Sequence, residues 1–381
     1  MKLIYIANVR IPTEKAHGLQ IMKMCESFSL NGVKVELIIP TRINKKFKKI
    51  NGFDFYSVLN NFKIIRIKSF DPTFLFGSPA GFYVKIQSFF FIVGLFFYLL
   101  FKKDKSEFIF YSRDEYLLPL LQLFSKRVVW ECHNLPQNSH YYLKYWQRCL
   151  KIIAITQFLK EELINLGLSE SKIIVAPDAV DLKEFMKVKE SKDELRRKLD
   201  LSSNKHLIIY AGHLYSWKGA QVLAEAMKFL SNNEVAVFIG GTDNDIEKFK
   251  EKNQDISNIL ILGYKSHDKI PYYLKAADIL VLPNSATEKI SSYYTSPVKM
   301  FEYMASQRPI VASNLPSIRE ILNDNNAVLV KPDEPEVLAT GIKRLLSSSE
   351  LAEKISSQAF KEVGKYTWNS RAQNIINFIS I

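Results

Sequence analysis

Three short runs at the start of the chain constrain its fold more than anything else in it. Residues 2–7 are apolar over the length of a strand, residues 18–30 have helical spacing, and residues 33–39 are apolar again. Strand, helix and strand at this length form a βαβ unit, so a parallel sheet covered by helices is expected. Residues 108–111, 127–131, 151–155 and 173–175 continue the strand pattern. A second series begins later, with strands expected at 206–211, 235–239, 259–262 and 278–282 and a helix at 220–230. Between the two series lies a charged stretch, residues 187–198, whose shift in composition reads as an interdomain linker. A length of 381 residues suits two such domains, expected at 1–180 and 181–360.

Composition narrows the class. With 47% hydrophobic and 24% charged residues the chain is a folded globular protein. Cys25, Cys132 and Cys149 are widely spaced and form no C-x-x-C pair, which points to a reducing compartment and no zinc site. The N-terminus turns polar after about seven apolar residues, so it reads as a buried first strand and not as a signal peptide. Residues 1–180 carry 25 Lys and Arg against 14 Asp and Glu, a net charge of +11, whereas the remainder carries 27 against 25, or +2. The first half therefore faces something anionic. No zinc finger, RNP-like run or basic-aromatic signature supports nucleic acid as that partner.

Several stretches carry candidate chemistry. In TSPVKMFEYMASQRPIVASNL (295–315), Ser296 reads as an N-cap hydroxyl and Pro297 as the first helical residue, ahead of a strand at 310–312. Such a helix start offers free N–H groups and the positive end of a dipole to an anion. Glu302, one turn deeper, is placed to accept hydrogen bonds from a sugar diol. Lys218, in the loop Gly212–Gly219, is placed to set an ammonium on a phosphate. The long loop after the first strand ends at Gly18 at a helix mouth, on the edge where open α/β sheets bind ligands. It contains no G-x-G-x-x-G, so no dinucleotide cofactor is expected. His133 ends a buried strand at that same edge. The K-K-F-K-K cluster at 45–49 reads as a solvated loop.

Residues 89–101 form an uncharged run of thirteen with six phenylalanines, followed by Lys102, Lys103 and Lys105. Thirteen residues fall short of the roughly 20 needed to span a bilayer. The run reads either as a buried core helix or as a helix resting in an anionic membrane interface, its lysines on lipid phosphates.

Taken together these pieces resemble the GT-B glycosyltransferases of the large retaining family 4, glycosyltransferase group 1. The matching stretches are His133-Asn134, PDAVDLKEF (177–185), GHLYSWKG (212–219), LGY (262–264), AADILVLP (276–283) and SPVKMFEYMASQRPIVAS (296–313). The closing YTWNSRAQNIINFI resembles the family's C-terminal helix, expected at 361–381 and packing back on the first domain. The resemblance implies two Rossmann-like domains facing across a cleft, with a nucleotide-sugar donor held mostly by the second. Lys218 and His213 would then bind the diphosphate, Glu302 the ribose, and the backbone of Ser296, Pro297, Val298 and Lys299 the distal phosphate and sugar. Gly263 and Tyr264 would take the base, Gly18 would line the floor beneath the diphosphate, and His133 would bind the sugar near the reacting carbon.

Two positions depart from the family pattern. His213 stands where arginine is usual, and Tyr294 stands where the first glutamate of an E-x7-E pair is usual, with Glu288 nearby in the loop. The implied reaction is metal-independent transfer with retention to a glycan or lipid-linked acceptor, with no cofactor, on the cytoplasmic face of a membrane. A nucleotide-sugar 2-epimerase and a non-catalytic nucleotide-sugar-binding protein are the alternatives. The base, the sugar and the linkage are left open.

Overall fold

The computed structural model describes residues 1–42, 47, 50–71 and 80–380, and only the backbone of 80–83. The lysines of the 45–49 cluster therefore lie outside the described residues. Two units emerge: Met1–Pro177 together with Trp368–Ile381, and Asp178–Thr367.

The first unit holds a seven-stranded sheet of β1 (Lys2–Ile6), β2 (Lys34–Pro40), β3 (Lys63–Ile67), β4 (Phe108–Ser112), β5 (Val128–Cys132), β6 (Lys151–Ala154) and β7 (Ile173–Val175). Their spatial order is β3-β2-β1-β4-β5-β6-β7, every pair parallel. The second unit holds β8 (His206–Ala211), β9 (Glu234–Ile239), β10 (Ile259–Gly263), β11 (Ile279–Leu282), β12 (Ile310–Ser313) and β13 (Val328–Val330) in the order β10-β9-β8-β11-β12-β13, again all parallel. Both are doubly wound sheets. The order reverses between β1 and β4 in one and between β8 and β11 in the other, and ligands of such sheets bind at the carboxyl ends there. β3 escaped the sequence pattern because KIIRI is an edge strand exposing Lys63 and Arg66.

The stretch 187–198 is not a linker. It contributes to the helices Leu182–Lys187 and Lys192–Lys198, the second begun by a Ser191/Glu194 capping box. Its charges lie mostly on outer faces, while Phe185 and Leu195 are buried beneath. Buried Arg196 donates to the Ala276 carbonyl at 3.0 Å and to Asp278 at 2.5 Å. The closing element also begins later than expected. Residues 361–363 finish the helix Ser349–Val363 of the second unit, and the helix Trp368–Ile379 packs against the helix Ala16–Leu30 in the first.

Two helix starts shift. The first helix begins at Ala16, not Gly18, and Gly18 is needed for packing: a Cβ there would stand 2.2 Å from the Tyr56 hydroxyl. The helix after β11 spans Val298–Ala305 with Pro297, in extended backbone, at its N-cap. Ser296 does not cap it, because its hydroxyl accepts from Asp178 N at 2.8 Å. The apolar run 89–101 belongs to a 22-residue helix, Ala80–Phe101, that crosses from β3 to β4. Gln87, Phe91, Leu95 and Leu99 are its fully buried stripe. The core-helix expectation thus describes one face of it alone.

Candidate functional site

In the second unit the loop after β8 lies at the topological switch point. Gly219 has φ +71°, and a Cβ on it would stand 1.6 Å from the Pro283 carbonyl oxygen at the end of β11. Only glycine allows this approach. The Trp217 carbonyl accepts from Ser285 N at 2.9 Å and from the Ser291 hydroxyl at 3.2 Å, so the loop is fastened to the segment before the helix Val298–Ala305. Lys218 is held among aromatic rings, its ammonium 5.1 Å from the centre of Trp217. Burial lowers its pKa to about 8. His213 stacks flat on Tyr215 with centroids 4.9 Å apart, and its carbonyl accepts from the Tyr210 hydroxyl at 2.6 Å.

The helix Val298–Ala305 is locked to the same edge, where Ala211 N donates to the Tyr303 hydroxyl at 2.8 Å. It carries Lys299, only 8% exposed, whose ammonium sits 4.1 Å over the Tyr210 ring. Among the described residues that ammonium has no hydrogen-bond partner. Burial, then the field of Lys218, hold its pKa well below the ordinary lysine value. Two lysines within reach of each other's field, one half-buried and one buried, favour an anion between them.

Glu302, one turn further, is also buried, and burial raises its pKa. His267 stands between two carboxylates, with Nδ1 3.6 Å from Glu302 and Nε2 3.3 Å from Glu184. Neither His267 nor Glu184 was singled out in the sequence. The available signal was position, since His267 follows Gly263-Tyr264 in the loop after β10, on the ligand edge. Tyr294 is buried, whereas Glu288 is exposed and its carboxylate lies 3.5 Å from the Ser216 hydroxyl in the Lys218 loop. The D-x-D at Asp243-Asn244-Asp245 opens a helix, where Asp245 accepts from the Thr242 amide and hydroxyl.

In the first unit His133 follows β5. Its Nε2 hydrogen bonds Glu131 at 2.5 Å, which assigns the proton to Nε2 and leaves Nδ1 as an acceptor. Burial, then Arg113, lower its pKa to about 4, so His133 is neutral near pH 7. Glu131 also accepts from the Tyr111 hydroxyl and pairs with Arg371 of the last helix at 3.3 Å. Burial alone would raise the Glu131 carboxyl, but Arg371, the hydrogen bond from His133 and the charge of Arg113 together outweigh it and hold the group well below the usual carboxylate range. Arg371 further donates to the carbonyls of Ala176 and Pro177, at 3.1 and 2.8 Å, where the first unit ends. Gly18 belongs to this unit too.

Residues 191–362 match the family model for glycosyl transferases group 1. The second unit carries a glycosyl transferase group 1 domain. Over 249 residues the chain is 27% identical to an uncharacterized glycosyltransferase of Methanocaldococcus jannaschii, covering 63% of this chain and 62% of that protein. Over 240 residues it is 24% identical to the lipopolysaccharide 1,2-N-acetylglucosaminetransferase of Salmonella typhimurium, covering 58% of this chain and 60% of the other. The chain therefore spans about six-tenths of the length of these curated relatives. In three dimensions it superposes on Anabaena HepE, crystallised with UDP, with a TM-score of 0.75 at 17% identity, covering 100% of both chains. At that identity the likeness speaks for the fold, which is GT-B with two Rossmann-like units. The group 1 domain contains Lys218, Lys299, His267 and Glu302.

Proposed function

We propose that this protein is a glycosyltransferase that moves a sugar from a nucleotide-sugar donor to a glycan or lipid-linked acceptor, with retention and without a metal ion. The observation that carries the reading is the pairing of half-buried Lys218 with buried Lys299 at the switch point of the group 1 domain, with the Lys299 ammonium lacking a hydrogen-bond partner among the described residues. A nucleoside diphosphate supplies the anion this pair calls for, and Glu302 one turn deeper suits its ribose. As the sugar–phosphate bond breaks, charge develops on the diphosphate, and preorganised cations in a dry site stabilise that charge. Lys299 supplies the second cation at a site where His213 replaces the arginine usual in the family. The leaving phosphate takes the acceptor hydroxyl's proton, so no carboxylate base is required. A relative named for lipopolysaccharide synthesis supports a glycan or lipid acceptor.

A thermal-shift screen of UDP-, GDP-, ADP- and CMP-sugars tests the donor, since specific binding raises the melting temperature by mass action. Release of nucleoside diphosphate in the presence of acceptor tests transfer. Stabilisation without turnover would favour a binding protein, and a change in the donor sugar itself would favour an epimerase.

Donor affinity is expected to depend on pH. In the free protein Lys218 titrates at about 8, and a bound anion raises that value. Below it the lysine is already charged; above it the anion must recruit a proton. Affinity for the cognate nucleoside diphosphate should therefore fall about tenfold per pH unit above this point, with proton uptake visible in calorimetry. Constant affinity across that range would remove Lys218 from the phosphates.

Glu302→Gln is expected to weaken nucleotide binding while leaving the melting temperature nearly unchanged. A carboxylate accepts from both ribose hydroxyls and an amide offers one acceptor oxygen, so the loss is about 1.5–3 kcal/mol. Unchanged affinity by calorimetry would leave Glu302 as a partner of His267 alone.

A further inference from the structure

We propose that the outward face of the helix Ala80–Phe101 is a docking surface for an anionic lipid membrane. The helix is fixed in the first unit by its other face, where Gln87, Phe91, Leu95 and Leu99 are fully buried. Gly94 lets it lie close on β3: a Cβ there would stand 2.7 Å from Ile67 Cγ2. Val84–Phe101 is long and apolar enough to cross a membrane by length and composition alone. As the crossover between β3 and β4, however, the helix cannot leave the sheet without undoing it.

The opposite face is apolar and open. Phe89, Phe97 and Phe101 are 61%, 53% and 76% exposed, with Val93 and Leu100 beside them. Leu123, 74% exposed, and Phe124, whose ring meets Phe96 at 5.6 Å, widen the patch. At its other end Phe70 meets Phe90 at 5.2 Å. Scattered single exposed apolar residues are ordinary, but a contiguous patch of this kind marks an interaction surface.

Cations border it. Lys68, Lys85, Lys103 and Lys126 are exposed, and Lys105 stands 5.8 Å over the Phe124 ring. Lys102 does not belong to this border, because Glu36 at 3.0 Å and Asp104 at 3.1 Å hold it. The first unit has 26 Lys and Arg against 13 Asp and Glu, and the second 26 against 26, so the whole excess of +13 sits on the unit that bears the patch.

Charge selects the occupant. A second copy packed through the same patch would bring like charges to the same rim. An anionic bilayer offers hydrocarbon to the phenylalanines and phosphates to the lysines. The same helix borders the ligand edge of its sheet: Asn8, just past β1, donates to the Ser88 hydroxyl at 2.9 Å and accepts from Gln87 at 3.2 Å. A membrane-borne substrate would reach the first unit there.

The test is co-sedimentation of the full chain with phosphatidylcholine vesicles, with and without phosphatidylglycerol. The wild-type protein should pellet with the anionic vesicles at low salt and be released as salt rises, since exposed charges are screened beyond about 10 Å at 0.1 M. Phe97→Ser with Phe101→Ser should keep the wild-type melting temperature and lose vesicle binding. Lys103→Ala with Lys126→Ala should weaken binding about fivefold for each lysine removed. Wild-type protein that ignores anionic vesicles at low salt would overturn the proposal. So would a lipid-free dimer that the phenylalanine variant converts to monomer, because the occupant would then be a second copy.

Discussion

Lys218→Ala is expected to lower glycosyl transfer by about 10²–10³-fold with the fold intact. Removing one preorganised contact to a developing anion costs about 2.7–4 kcal/mol, and nothing else in the loop can replace this one. The neighbouring His213 ring lies flat on Tyr215, and Trp217 and Tyr215 carry no cation. Thermal stability should hold or rise slightly, because the half-buried side chain carries its charge at a desolvation cost, as its pKa of about 8 reports. The measurement is turnover beside a melting curve. Near-wild-type turnover in a correctly folded variant would exclude Lys218 from the reaction. A parallel fall in melting temperature would instead mean that the loop over Pro283 had been lost.

Arg371→Leu is expected to destabilise the first unit by about 3–5 kcal/mol, the usual consequence of stranding one member of a buried ion pair. Glu131 would lose its guanidinium, and the carbonyls of Ala176 and Pro177 would lose their donor. The pH dependence separates the two contributions. In the wild-type protein Glu131 is held well below the usual carboxylate range, so its stabilisation is present above the unfolded carboxyl value and lost as pH falls through the folded one. Without Arg371 the Glu131 carboxyl rises from its wild-type value, so the variant's deficit should shrink as pH falls toward the carboxylate range. Adding Glu131→Gln should recover part of the loss in urea unfolding at neutral pH. A single-variant cost below about 1 kcal/mol would show that the pair does not hold this corner together.

The parallel sheets were legible from the first residues, because strands buried on both faces must be apolar throughout. Leu3–Ile6 and Ile208–Tyr210 are such strands, each at most 1% exposed. The group 1 signature around Lys218 and Glu302 was equally plain, since both residues occupy fixed offsets from a glycine loop and a proline-started helix. Where polarity and position disagree, the sequence misleads. The charged stretch 187–198 looks like a linker because one-dimensional composition cannot distinguish a solvated helix face from a solvated loop. The run 89–101 could not be divided into a buried and an open face, because both faces are apolar and only the sheet beneath distinguishes Phe91 from Phe97.

Tertiary structure alone brought distant charges together. Arg371 reaches Glu131 across 240 positions of sequence, and His267 comes to stand between Glu302 and Glu184. Lys299 reads in sequence as one more residue of a helix start. Only its packing over Tyr210, beside Gly212 and within the field of Lys218, makes it a buried ammonium with no hydrogen-bond partner among the described residues. Local pattern thus determined the sheets and the loops at their edges, because periodicity and turn chemistry act over a few residues. Charge pairing, burial and protonation were decided by the fold, because they depend on which groups meet and how much water remains between them.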